Sequence, residues 1–108
     1  MAKICLCLTG KTLARNLALI DTYRKYIDLA ELRVDCLDPD EHFYIRRFPE
    51  QAGLPVILTI RRKIDGGRFD SGEGARITLL SRGMAFAESD RRRNFAYVDM
   101  EEDLEAPG

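Results

Sequence analysis

The residues with the clearest chemical potential form a short alternating run, Glu31, Arg33 and Asp35, interleaved with the apolar positions Ala30, Leu32 and Val34. Side chains alternate across a β-strand, so this spacing puts two carboxylates and a guanidinium on one face and three apolar groups on the other. The apolar face suits packing against helices, which turns the charged row toward a polar interior. Charges withdrawn from water are unfavourable there unless they pair with one another or bind something. That is the pattern of a site for a polar ligand.

Three further runs repeat the arrangement. Phasing each with a period of two gives inner sets that become polar toward the C-terminal end: Cys7 and Thr9, Thr59 and Arg61, and Asp99 and Glu101, beside the Glu31 to Asp35 set. In a parallel α/β barrel the inward residues at the C-terminal strand ends line the active site, so four such sets converge on one pocket. The alternative for Glu31 and Arg33 is an ion network with Asp99 or Arg61 that only ties strands together. Arg61, followed by Arg62, could likewise be the charged end of a strand. Asp65-Gly66-Gly67 reads as a turn, since it lacks the spacing and the lysine of a phosphate-binding loop. His42 is the only histidine and falls in the acidic first turn of a helix, as a surface residue, while Lys11 and Lys63 lie in loops. The chain therefore offers groups that hold a substrate, with no evident nucleophile or proton shuttle and no catalytic residue assigned.

The elements that must position these groups alternate in type. A strand over 3–9 precedes a helix over 12–27, with Leu13, Leu17, Ile20 and Ile27 at helical spacing. The Glu31 strand covers 28–35. Asp38, Pro39 and Glu41 then supply an N-cap candidate, a proline at the first helical position and a glutamate at the third. That helix is expected to run to about Phe48, where Pro49 stops it and Gly53 marks the exit. A third strand over 54–61 leads into a glycine-containing loop over 62–69. A helix over 73–88 carries Ile77, Leu80 and Met84 on one side, with Gly83 as a weak point, and a fourth strand covers 95–101. Strands alternating with helices imply parallel pairing through right-handed crossovers, and a run such as Val56-Ile57-Leu58 suits a strand covered on both faces. The fold class is α/β.

Composition narrows the function classes. The chain has 108 residues, enough for one domain, and 45% hydrophobic content, enough for an ordinary core. Seventeen basic against eighteen acidic residues leave a net charge of -1, so there is no broad electrostatic footprint for nucleic acid. The run Asp90-Arg91-Arg92-Arg93 reads as solvated surface at a helix exit. No apolar run approaches the roughly 20 residues of a membrane span, and the start shows no signal-peptide pattern, which makes cytoplasm the default compartment. Cys5, Cys7 and Cys36 are an odd count and read as reduced thiols; Cys5-Leu6-Cys7 lacks the second ligand pair of a tetrahedral zinc site, so no metal is assigned.

Glu31-Leu32-Arg33-Val34-Asp35, Thr59-Ile60-Arg61 with Asp65-Gly66-Gly67, and Tyr97-Val98-Asp99-Met100-Glu101 resemble, in order and spacing, the type I 3-dehydroquinate dehydratases. The opening Lys3-Ile4-Cys5-Leu6-Cys7-Leu8 is similar to that family's first strand. The resemblance covers nearly the whole chain and implies the N-terminal half of a (β/α)8 barrel, four strands forming a single domain over 1–108. It also implies a lyase of the shikimate pathway, which leads to aromatic amino acids. In that family a lysine forms a Schiff base with the ketone of 3-dehydroquinate, a histidine moves the alpha proton, and loss of water gives 3-dehydroshikimate without cofactor or metal. Both groups belong to the second half of the barrel. The residues that carry over are substrate-binding: Glu31 and Arg33 from the second strand, with Leu32 between them lending only its backbone, and Arg61 ending the third. Cys7 stands where the first strand often presents a serine, and Asp65 where glutamate usually precedes the glycine pair. A half barrel has open edges, so self-association or a complementing C-terminal half is expected. The other reading is a non-catalytic binding or assembly module, or a truncated inactive fragment.

Overall fold

A computed structural model of the chain describes residues 2–69, 72–83 and 95–99. Four parallel strands form one sheet in chain order: β1 (Cys5–Leu8), β2 (Leu29–Arg33), β3 (Val56–Thr59) and β4 (Tyr97–Asp99). Cys7 is in register with Glu31, Glu31 with Ile57, Arg33 with Thr59, and Thr59 with Asp99. The crossovers contain α1 (Leu13–Tyr23), α2 (Phe48–Ala52) and α3 (Glu73–Gly83). This is the expected α/β architecture, an open, half-barrel-like parallel sheet with helices.

The core lies between helices and one sheet face. Leu8, Ala30, Leu32, Val56, Leu58 and Ile60 are fully buried there and share a single apolar cluster with Ile20 of α1, Phe48 of α2 and Leu79 of α3. The intervening positions are more open. Cys5 and Cys7 are exposed, and Glu31, Arg33 and Ile57 are half-buried. Two-sided cover over Val56 to Leu58 is thus partial.

Several boundaries differ from the sequence reading, each for a local reason. α1 starts where expected, because the Thr12 hydroxyl accepts from the Arg15 N–H at 3.1 Å. Its α-helical part stops at Tyr23; Arg24–Tyr26 tighten into a 3-10 turn and Ile27 is extended. Arg24 then holds the junction, donating to Asp21 and to the Ala52 carbonyl, both at 2.9 Å.

The segment after Asp38 is a 3-10 helix over Pro39–Arg47, and α-helix begins only at Phe48. Pro49 therefore opens α2 rather than ending a helix, which its missing N–H permits within a first turn. Gly53, with φ of 73°, closes it in the left-handed conformation. The expected capping arrangement is redirected as well. The Asp38 side chain makes no cap bond, and Glu41 Oε1 accepts the Leu13 N–H at 2.6 Å, capping α1 from 28 residues away.

β2 and β3 are each shorter than the runs 28–35 and 54–61, and α3 is described only to Gly83. Val34–Cys36 form a 3-10 turn, so Asp35 leaves the strand it was expected to continue. Thr9 lies beyond the end of β1, exposed. His42 is not simply a surface residue: it is half-buried, with Nε2 3.1 Å from the Val34 carbonyl. Met84, Glu88, the charge run at 90–93, Met100 and Glu101 fall outside the described residues. No helix among the described residues is long and apolar enough to cross a membrane.

Two buried polar side chains had no forecast in the sequence. Asn16, on the apolar stripe of α1, closes the β1–α1 turn by accepting from the Gly10 N–H at 2.9 Å and donating to its carbonyl at 3.3 Å. A Cβ on Gly10 would stand 2.7 Å from the Asn16 Oδ1, so a side chain there would displace the amide that closes the turn. Arg76 of α3 is fully buried and donates from Nε to the Ile60 carbonyl at 2.9 Å, tying the helix to the chain just past β3.

Candidate functional site

Parallel register brings Cys7, Glu31 and Thr59 together across three adjacent strands. The Glu31 carboxylate accepts from the Thr59 hydroxyl at 2.7 Å through one oxygen and from the Cys7 thiol at 3.5 Å through the other. Thr59 is buried at 1% exposure, which leaves its hydroxyl committed to this contact. Burial, reinforced by the Glu31 charge, pushes the thiols of Cys5 and Cys7 up, so both stay protonated at neutral pH and Cys7 acts as a donor.

Arg33, two residues along β2, forms a two-pronged pair with Asp35: Nε to Oδ1 at 2.9 Å and Nη2 to Oδ2 at 2.7 Å. The arginine side chain is 13% exposed and the aspartate 0%. The turn at Val34–Cys36 swings Asp35 back onto its own strand end, where it meets Arg33. The two remaining acceptor positions of Asp35 take backbone donors from the loop after β3, the N–H of Arg61 and that of Arg68, each at 3.1 Å.

Burial alone would raise the Asp35 pKa, but the Arg33 fork and the two backbone N–H groups outweigh it and hold the carboxyl below its ordinary range. Arg33 is correspondingly pushed up by its hydrogen bond to Asp35. Desolvation by burial pushes the neighbouring Cys36 thiol up, with the Asp35 charge adding to it.

The 61–69 loop folds back on itself. Phe69 donates to the Arg61 carbonyl, Lys63 to that of Phe69, and Gly67 to that of Arg62, at 3.2, 3.0 and 2.8 Å. Gly66 has φ of 86°, and a Cβ on Gly67 would lie 2.2 Å from the Arg61 carbonyl oxygen. The glycine pair thus lets the loop press onto the backbone of Arg61.

Of the six residues expected to hold substrate, Cys7 and Glu31 are in contact, and Arg33 and Arg61 are linked through Asp35. Alternation past Thr59 is kept, with Ile60 buried and Arg61 half-buried. Leu32 is fully buried in the helix-side core, so only its backbone can serve a site. Asp65 ends the Lys63–Asp65 3-10 turn at the glycine pair. Sequence reasoning missed Thr59 as the partner of Glu31 and Asp35 as the hub; the first is signalled by the polar residue two before Arg61, the second by an aspartate just past a strand's last arginine. The arrangement presents guanidinium and carboxylate groups at the C-terminal ends of parallel strands, a set suited to a small hydroxylated acid. A separate groove of about 450 Å³ between α1 and the 39–51 segment contains none of these residues.

A family model for type I 3-dehydroquinase matches residues 4–107. The chain is 43% identical over 61 residues to a 3-dehydroquinate dehydratase of Methanothermobacter thermautotrophicus, covering 56% of this chain and 26% of that protein. It is 33% identical over 61 residues to the enzyme of that name from Methanocella arvoryzae, 56% and 28% of the two chains. Against the one from Coxiella burnetii it is 30% identical over 81 residues, 75% and 35%. The matched stretch thus spans between about a quarter and a third of the length of these relatives. With the family model covering nearly every residue and the polar strand ends in the order the motifs require, the chain belongs to the type I 3-dehydroquinase family.

Proposed function

We propose that this chain is the substrate-holding N-terminal half, a single domain over 1–108, of a cytoplasmic 3-dehydroquinate dehydratase that converts 3-dehydroquinate to 3-dehydroshikimate. The observation that carries this reading is the polar row on neighbouring parallel strands, Glu31 bonded to Cys7 and Thr59 and Arg33 clamped beside the Arg61 loop. Glu31 accepts from ring hydroxyls, Arg33 and Arg61 donate to hydroxyl and carboxylate oxygens, and Cys7 and Asp65 are the further substrate-binding residues that the family resemblance carries over. The dehydration proceeds through a Schiff base: a lysine amine condenses with the ketone and releases water, and the iminium acidifies the adjacent C–H. A histidine takes that proton and returns one to the departing hydroxyl, which leaves as water, and hydrolysis of the product iminium frees 3-dehydroshikimate and the lysine. The residues matched here bind and orient; the lysine and histidine are supplied by a complementing C-terminal half. No metal or cofactor takes part in this scheme.

The test is calorimetry with 3-dehydroquinate, paired with an assay for enone formation. We expect the chain alone to bind without turnover, and Arg61→Ala to weaken binding by about 1.5–3 kcal/mol, the worth of a charged hydrogen bond, roughly a tenfold to hundredfold loss. Borohydride trapping of a substrate adduct on this chain would contradict the division of labour. The Arg33–Asp35 pair specifically favours a second reading, a non-catalytic module in which the charges only brace the strand ends. Lost stability in Arg61→Ala with no heat of binding in either protein would establish it.

A further inference from the structure

Asp35 stands outside the strand it was expected to prolong, yet the strand ends converge on it. Its side chain is 0% exposed, and its oxygens divide four N–H donors, with the Cys36 thiol donating more distantly to Oδ2 at 3.9 Å. Oδ1 accepts from Arg33 Nε and the Arg61 N–H; Oδ2 accepts from Arg33 Nη2 and the Arg68 N–H. Two donors belong to the end of β2 and two to the loop after β3, so one carboxylate joins elements 26 and 33 residues apart. A guanidinium gripped by two parallel bonds has its plane fixed. The fork uses Nε and Nη2, which leaves Nη1 outside the pair. Gly67, pressed on the Arg61 carbonyl, closes the same loop from the other side.

We infer that Asp35 is a positioning residue for ligand recognition: it fixes the Arg33 guanidinium and the base of the 61–69 loop as one unit, so that Arg33 and Arg61 meet an anionic, hydroxylated ligand already ordered. Ordering long side chains at the moment of binding weakens affinity, and a preset frame removes that penalty. The inference rests on the ligand-holding role proposed for Arg33 and Arg61.

The experiment is amide exchange by NMR and calorimetry with 3-dehydroquinate on the full chain, as wild type, Asp35→Asn, Arg33→Ala and the double variant. In Asp35→Asn the amides of Arg61 and Arg68 should exchange at least tenfold faster while those of Leu32 and Leu58 hold, and affinity should fall at least tenfold. In the Arg33→Ala background the same substitution should cost clearly less than in the wild type, because only the base of the Arg61 loop is then left for Asp35 to position. Equal losses in both backgrounds, or unchanged affinity in Asp35→Asn, overturn the inference. Should Asp35→Asn fail to fold, Arg33→Lys keeps both charges but lacks the planar fork; tenfold weaker binding with unchanged melting supports the inference, and unchanged binding overturns it. A wild-type chain that binds no 3-dehydroquinate overturns the proposed function itself, an outcome distinct from wild-type binding that Asp35→Asn leaves intact.

Discussion

A buried carboxylate that receives four N–H donors has little to gain from a proton, and this governs how Asp35 responds to acid. In an unfolded chain an aspartate titrates near about 3.9; in the fold Asp35 titrates lower. Its contribution to stability is therefore complete above the unfolded value and is lost as pH falls through the folded one. Arg33 and the backbone N–H groups of Arg61 and Arg68 face it and do not titrate in that window, and the adjacent Cys36 thiol stays protonated there. Urea midpoints measured from pH 7 down to pH 3 should fall below about pH 4 in the wild type, with a shallower fall in Asp35→Asn, which starts from a lower plateau. Equal slopes would contradict the clasp. The placement of Glu31 and Arg33 on one face of β2 was legible because alternation along a strand is a strong local signal. Asp35 was legible as important and wrongly placed, because the turn at Val34–Cys36 leaves no mark in a pattern that alternates through it.

The elements show where local reading stops. Thr12 begins α1 as its sequence indicates, and Gly53 ends α2 for the reason expected of a glycine there. Asp38-Pro39-Asp40-Glu41 carries the signature of a helix start, yet its glutamate satisfies the first amide of a different helix. Nothing within a short window distinguishes a glutamate that folds back on its own segment from one that reaches across the fold. Glu41→Ala should therefore destabilise the chain by about 1 kcal/mol, the usual worth of an N-terminal cap. The signature is a lower urea midpoint with an unchanged m value, and loss of amide protection at Leu13 ahead of Ile45. Asn16 and Arg76 were invisible for the same reason: each completes a backbone contact that exists only once a helix lies on the sheet.

For the whole molecule, β1 and β4 bound the described sheet, and the β1 side chains Cys5 and Cys7 are exposed on the face opposite the helices. Unpaired strand edges invite pairing with another chain. We propose that the isolated chain self-associates at micromolar concentration, and that Cys5→Lys, which adds a charge to that face, shifts it toward monomer in sedimentation equilibrium. A wild type that stays monomeric and melts cooperatively would count against this. The α/β class and parallel pairing were readable from alternating periodicities, whereas the long 3-10 passage was not, since its residues fit a helical pattern equally well. Among the described residues no pairing in the sheet skips a strand, so each ladder joins a segment only to the one made just before it. A chain leaving the ribosome can accordingly lay down this layer rung by rung, each arriving segment finding its template already outside the exit tunnel, with no need to hold an early segment open for a late one.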